Sequence, residues 1–252
     1  MQRYFIPASS WQGDVLEVHG DDAHHMIKVL RYQIGDHVIC NQLTGEAAIC
    51  EITEIEQQTV RLQVIQWLNE NNELPVEITI AQGLPKGDKL DLVLQKGTEL
   101  GASAFIPLMT DRAVVKWDKR KADKKIQRFK KIVKEASEQS HRNRIPEILD
   151  TISLKELIKL GQSYDVKFFP YEEEAKVEKF QSFSTIVKEL RSGQRVLTCI
   201  GPEGGFTTDE AELLKKNGFQ PVRLGPRILR TETAPLYVLA SISYQFEELG
   251  CR

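Results

Sequence analysis

RVLTCIGPEGGFTTDEAELLKKNG, residues 195–218, reads as a strand, a glycine loop and a helix in immediate succession. Arg195–Ile200 is a short apolar run of strand length. Thr207 and Glu210 have the spacing of a capping box, which opens a helix by satisfying its first free N–H groups. Lys215, Lys216 and Asn217 followed by Gly218 close that helix.

The same alternation runs outward on both sides. Upstream, Val76–Gln82 reads as a strand and Asp88–Leu100 as a helix, with Leu90, Val93, Leu94 and Leu100 near one face and Gly101 as its stop. Ala104–Leu108 is a strand and Asp118–Ser140 a long basic helix. Ser153 and Glu156 form a second capping box, on a helix ending at Gly161. Asp165–Phe169 is a strand and Thr185–Arg191 a helix. Downstream come a strand at Pro221–Leu224 and a helix at Thr233–Leu249. Strands alternating with helices of this length predict an α/β domain with a mostly parallel sheet.

Residues 1–72 read differently. Short runs at Val15–His19, His37–Cys40, Ala47–Ile55 and Thr59–Trp67 are separated by turn residues, which predicts a small β-barrel. Asp22–Leu30 is one helix within it. Asn69–Pro75 (NENNELP) is polar, aperiodic and ends in proline, so it reads as a linker. The expected domains are 1–72 and 73–252.

Composition removes several classes of function. The start, MQRYFIPASSWQGD, lacks the basic and apolar regions of a signal peptide. No apolar run approaches membrane-spanning length, so a cytoplasmic protein is expected. Cys40, Cys50, Cys199 and Cys251 form no C-x-x-C pair, and the first three fall in strand-like runs where a thiol packs as a small hydrophobe. The adjacent His24 and His25 lack helical ligand spacing, so no metal site is expected. The net charge of −2 does not advertise a nucleic-acid binder. Between Lys116 and Lys131, however, nine basic residues face only Asp118 and Asp123, an excess of +7. Such a stripe either neutralises phosphates or is a solvated helix face.

In open α/β sheets ligands bind beyond the carboxyl ends of the strands, and two of those ends are unusual here. In Gly201-Pro202-Glu203-Gly204-Gly205 three glycines let backbone approach a ligand closely. Glu203 would repel a pyrophosphate but tolerate a positive centre. The second end is LGPRILRTETA, residues 224–234. Arg227 and Arg230 stand beside a glycine turn, where two guanidiniums can grip phosphate or polarise a carbonyl, and Thr231 or Thr233 is a candidate helix cap. A third strand end presents Lys86 and Lys89. The end of the basic helix adds Arg142 and Arg144.

Together these segments resemble a known group. QGLPKGDKLDLVLQKGTELG (82–101), EASEQSHRNRIP (135–146), GPEGGFTTDE (201–210), LGPRILRTETA (224–234) and VLRYQIGD (29–36) are similar, in order along the chain, to the small-subunit ribosomal RNA (uracil-N3)-methyltransferases of the SPOUT superfamily. One departure falls at Ser140-His141, where many members carry a glycine near the arginine. The resemblance implies a PUA-like barrel that grips RNA, followed by a trefoil-knotted α/β domain that holds S-adenosylmethionine. It implies a homodimer acting on N3 of a uridine in the small subunit's 16S RNA.

On that reading Arg230, with Arg227 second, stabilises the developing uracil oxyanion, and Glu203 or Glu232 is a candidate for the N3 proton. Gly201, Pro202, Glu203, Gly204 and Gly205 would line one side of the donor site. Leu224, Gly225, Ile228, Leu229, Thr231, Thr233 and Ala234 would line the other. Arg31, Lys86, Lys89, Arg142 and Arg144 would meet RNA. Two other functions compete. An RNA-binding assembly factor would explain the basic helix but not the glycine loops. A nicotinamide-dependent enzyme lacks its G-x-G-x-x-G.

Overall fold

The computed structural model describes residues 1–115, 117–172 and 182–250. Lys116 of the basic stripe and Cys251 lie outside them. The chain divides into two compact units, Met1–Glu73 with Ser137–Ile145, and Leu74–Ala136 with the chain from Pro146 onward.

The first unit is a six-stranded sheet. Its strands are β1 (Arg3–Ile6), β2 (Trp11–Gln12), β3 (Val15–His19), β4 (His37–Gln42), β5 (Ala47–Ile55) and β6 (Thr59–Leu68), in the order β1-β4-β5-β6-β3-β2. Only β1 and β4 run parallel. Side chains alternate across the pleat, so Leu16 and Val18 of β3 are buried while Val15 and His19 are exposed. Tyr4 and Ile6 of the edge strand β1 share one core with Leu16, Val38, Cys50 and Leu62. The sheet therefore wraps around its own inner face. Register shifts between Ile49 and Cys50 and between Ile52 and Glu54 help β5 and β6 to bend. The helix expected at Asp22–Leu30 is present as α1 (Gly20–His24) followed by a wider turn, closed by the Leu30 N–H on the His25 carbonyl at 2.9 Å.

The expected linker is not slack. Glu70 pairs with Arg3, and Glu73 pairs with Arg142 and accepts from the Asn143 and Arg144 N–H groups at 2.9 and 3.0 Å. These contacts hold Ser137–Ile145 within the first unit.

The second unit is an all-parallel sheet. β7 (Glu77–Gly83), β8 (Ala104–Met109), β10 (Ile152–Ser153), β11 (Val166–Pro170), β12 (Arg195–Ile200) and β13 (Gln220–Val222) lie in the order β10-β8-β7-β12-β11-β13, and β9 (Glu147–Ile148) also pairs with β8. After their first residue, β7 and β12 are buried throughout, as central strands covered on both faces must be. One face packs on α4 (Leu154–Leu160) and α6 (Thr208–Lys216) through Leu157, Ala211 and Leu214, against Ala81, Ile106, Leu197 and Cys199. On the other, α2 (Lys89–Glu99) approaches so closely that a Cβ at Gly97 would lie 2.8 Å from the Phe105 ring and 3.4 Å from Leu239 of α7 (Thr233–Ser243). The basic helix α3 (Lys119–Gln139), as far as Ala136, and the short α5 (Phe183–Glu189) complete the unit.

Both capping boxes form, at Ser153 with Glu156 and Thr207 with Glu210. The final helix ends sooner than expected, at Ser243, and passes into a wider turn closed by the Leu249 N–H on Tyr244 O at 3.1 Å. Cys40, Cys50 and Cys199 are buried free thiols.

Candidate active site

The loop after β12 and the loop after β13 meet over the end of β7. Gly201 is tightly placed, since a Cβ there would lie 3.0 Å from Gly205 Cα, and Gly205 itself has a φ of +65°. The chain thus doubles back on itself within five residues. Gly83 at the end of β7 abuts the same loop, with a Cβ position only 2.6 Å from Pro202 N. Phe206 anchors the far side by packing edge-on to Phe169, ring centroids 5.9 Å apart.

The segment after β13 leaves the sheet's edge and returns to its centre. Thr231 marks the arrival. Its hydroxyl donates to the Gly201 carbonyl at 2.6 Å and accepts from Gln82 Nε2 at 2.9 Å. Thr231 is therefore a strut between strand ends, which corrects the expectation that it or Thr233 caps the last helix. Glu232 occupies the cap position without a capping hydrogen bond, and Thr233 is the helix's first residue.

Three charges sit where these loops meet. Lys89 Nζ lies 2.9 Å from Glu203 Oε1 and 3.6 Å from Glu232 Oε2. The Lys86 N–H donates to Glu203 Oε1 at 3.0 Å. Burial raises the Glu203 carboxyl, but the Lys89 and Lys86 hydrogen bonds outweigh it and hold the group below the ordinary carboxylate value. The Glu203 hydrogen bond, opposed by burial, holds Lys89 above the ordinary lysine value. Lys89, expected at an RNA surface, is thus engaged at the cleft wall. Lys86 is exposed.

Sequence reasoning missed Arg112. It follows β8 in the loop Thr110–Ala113, and its Nη1 donates to the Gly204 carbonyl at 2.9 Å. The neighbouring Asp111 N–H donates to Glu210 Oε1 at 2.8 Å, while Glu210 Oε2 accepts from the Thr207 N–H at 2.8 Å. One capping carboxylate therefore fixes two loops. The position of Arg112 just beyond a strand's carboxyl end was the available signal.

The result is a cleft of about 520 Å³, the size of a small-molecule site. Ile200, Val222, Leu224 and Leu229 give it apolar walls, and both glycine-bearing loops present backbone to it. Gly225 turns with a φ of +76°. Arg227 and Arg230 line the cleft and are exposed, Ile228 beside them is 73% exposed, and Ala234 is buried beneath.

In the first unit, Arg31 and Arg144 are exposed, Arg31 with a φ of +55°. Arg142 does not behave as expected of an RNA contact. It is 4% exposed and ion-paired to Glu73, because the turn after α3 points it into the unit's interior.

A family model described as an RNA methyltransferase domain matches residues 72–243, and one described as an RNA methyltransferase PUA domain matches residues 18–65. The chain belongs to the RNA methyltransferase family. Among its relatives is the ribosomal RNA small subunit methyltransferase E of Bacillus subtilis, 47% identical over 99% of this chain and 98% of that one. The protein of the same name from Synechocystis is 32% identical over 89% of this chain and 71% of its own length. The crystal structure of a Neisseria gonorrhoeae ribosomal RNA small subunit methyltransferase E, bound to S-adenosyl methionine, superposes with a TM-score of 0.85 at 30% identity, covering 96% of this chain and 97% of that one. As an RNA methyltransferase with a PUA domain, the chain has the α/β fold with a parallel sheet and the PUA-like β unit that its sequence predicts.

Proposed function

We propose that this chain transfers a methyl group from S-adenosylmethionine to N3 of a uridine in small-subunit ribosomal RNA, acting in the cytoplasm as a homodimer. The observation that carries this reading is the cleft where Thr231 ties the 201–205 loop to the end of β7. Its backbone-rich loops and apolar walls fit a nucleoside. The identity to small-subunit methyltransferases along almost the whole chain supports the RNA substrate. The return of residues 223–232 from the sheet's edge to its centre supports a knotted topology. An exposed aromatic face on and beyond α7, with Tyr237 41% and Tyr244 56% exposed, supports the dimer.

When bound, the donor supplies an electrophilic methyl group. Gly201, Pro202, Gly204 and Gly205 hold it from one side, and Leu224, Gly225, Ile228, Leu229 and Ala234 from the other. Thr231 fixes the spacing between the two loops. Glu203 acts through Lys89 rather than as a free carboxylate. Arg230 and Arg227 stand at the rim, where a guanidinium stabilises charge developing on a uracil oxygen. Arg31, Lys86 and Arg144, with the basic face of α3, supply phosphate contacts. Not all of that helix is available, since Arg128 pairs with Asp91 at 2.6 Å and Lys125 lies over the Trp117 ring.

The test is calorimetric titration of S-adenosylmethionine, followed by labelled-methyl transfer to small subunits and nucleoside analysis. Saturable binding and 3-methyluridine in the RNA are expected. Arg230→Ala should keep donor affinity within about threefold and cut the transfer rate by roughly 10²–10³. An absence of donor binding, even with subunits present, would favour a non-catalytic assembly factor.

A further inference from the structure

Glu172, Glu203 and Glu232 line the cleft, and the surroundings of the last two differ. Glu203 Oε1 accepts from Lys89 Nζ at 2.9 Å and from the Lys86 N–H at 3.0 Å. Glu232 Oε2 is buried and takes no hydrogen bond from any described residue, and Lys89 Nζ, 3.6 Å away, pairs with it only as an ion. The Glu232 side chain is 16% exposed. Buried acceptors are nearly always satisfied in native proteins, and one that is not points to an absent donor or a chemical task.

The backbone holding this carboxylate is fixed on both sides. Thr231 is bonded to Gly201 and Gln82. On the other side the N–H groups of Thr233 and Ala234 donate to the Arg230 carbonyl at 2.9 and 3.0 Å. Arg230 and Glu232 thus lie two residues apart on one rigid turn, a cation for a developing oxyanion and a base for a proton.

Among the described residues no N–H hydrogen-bonds this Glu232 oxygen, Lys89 Nζ standing 3.6 Å away as its ion-pair partner, and uracil N3 carries an N–H. We propose that Glu232 is the catalytic base, hydrogen-bonding the N3–H of the target uracil and taking its proton as the methyl group is transferred. This rests on the functional reading above. In the step, N3 gives its proton to the Glu232 carboxylate and bonds to the methyl carbon, whose bond to sulfur breaks with the electron pair left on sulfur. Lys89 is a positioning residue that holds the Glu232 carboxylate in place through the 3.6 Å ion pair, and Glu203 holds Lys89. The charged groups around Glu232 are Lys89 and, on the same cleft, Glu172, Glu203, Arg112, Arg223, Arg227 and Arg230, with the titratable Tyr171 beside them.

The experiment is single-turnover methyl transfer across a range of pH for the wild type, Glu232→Gln and Glu232→Asp. Donor affinity is measured by calorimetry and RNA affinity by filter binding. RNA carrying 5-fluorouridine, whose N3–H is more acidic, is a second substrate. Glu232→Gln is expected to lower the rate by about 10²–10⁴ while both affinities stay within about threefold. Its rate should climb with pH where the wild type is level, and 5-fluorouridine should restore at least about tenfold of the loss. Glu232→Asp should fall between the two. A Glu232→Gln rate within about threefold of wild type, or a slow rate that neither pH nor 5-fluorouridine improves, overturns the assignment. A wild type that binds donor but leaves uridine N3 unmethylated overturns the functional reading, and the base with it.

Discussion

Thr231 Oγ1 lies 2.6 Å from the Gly201 carbonyl oxygen, and the same hydroxyl accepts from Gln82 Nε2 at 2.9 Å. One side chain thereby ties the loop after β12 and the loop after β13 to the end of β7. Thr231→Val keeps the shape and removes both bonds. It should cost about 1–3 kcal/mol of stability, because a part-buried carbonyl and a buried amide lose a partner. Donor affinity should fall with it. Thr231→Ser should retain most of both, and thermal melts with donor titrations on the two variants check this.

Gly83 faces Pro202 across the same junction. A Cβ at Gly83 would lie 2.6 Å from Pro202 N and 2.7 Å from Pro202 Cδ, neither of which can move aside as a flexible side chain could. Gly83→Ala should therefore displace the 201–205 loop and abolish measurable donor binding. Overpacking of this kind typically costs about 1–3 kcal/mol. Calorimetry beside a denaturant melt separates the binding loss from unfolding.

Glu73 accepts from the Arg142 guanidinium and from the N–H groups of Asn143 and Arg144. Glu73→Ala takes that carboxylate away from all three donors. The expected loss is about 3–5 kcal/mol, and Arg142→Ala should cost a similar amount. Arg144→Ala, at an exposed position, should leave stability nearly unchanged and weaken RNA binding. Urea melts of the three variants, with filter binding to small-subunit RNA, decide between a structural and an RNA-contacting arginine.

His141 has a φ of +57°, in the region that disfavours side chains. It is the second residue past the end of α3 (Lys119–Gln139). Its N–H reaches Glu138 O at 3.4 Å, and the Arg142 N–H reaches Ser137 O at 3.0 Å, the bond pair of a helix end that glycine usually closes. His141→Gly should raise stability by about 0.5–1 kcal/mol. Burial and then the positive charge of Arg3 hold the His141 imidazole below the ordinary histidine value. The folded state thus binds its proton less readily than the unfolded state does. That contribution to stability is whole above roughly pH 6.5 and is lost as pH falls below it. Melts at pH 8 and pH 5.5 should show a drop in the wild type that is smaller in His141→Gly.

The two-part fold was legible because its signals are local. Thr207 with Glu210 and Ser153 with Glu156 fix helix starts through bonds made within one turn. Gly101 and Gly218 fix helix ends by the positive φ that each adopts. His141 closes a helix in the same way with the wrong residue for it, so its turn could not be read, and with it went the direction of Arg142. The strand-end loops were marked by their glycines, but the partners of Glu203 were not. Lys89 and Lys86 lie more than a hundred residues away in sequence.

The sequence by itself determined the longer elements, the parallel sheet and the family, since each follows from spacing of a few residues or from motifs in order, while the short strands β1, β2, β9 and β10 carried no such signal. Tertiary structure alone decided which side chains do what. It turned Arg142 inward, made Thr231 a strut, brought Arg112 to Gly204 and gave Glu203 its hydrogen-bond donors while leaving Glu232 Oε2 without one. Those outcomes depend on where distant strand ends meet, and no local periodicity encodes that.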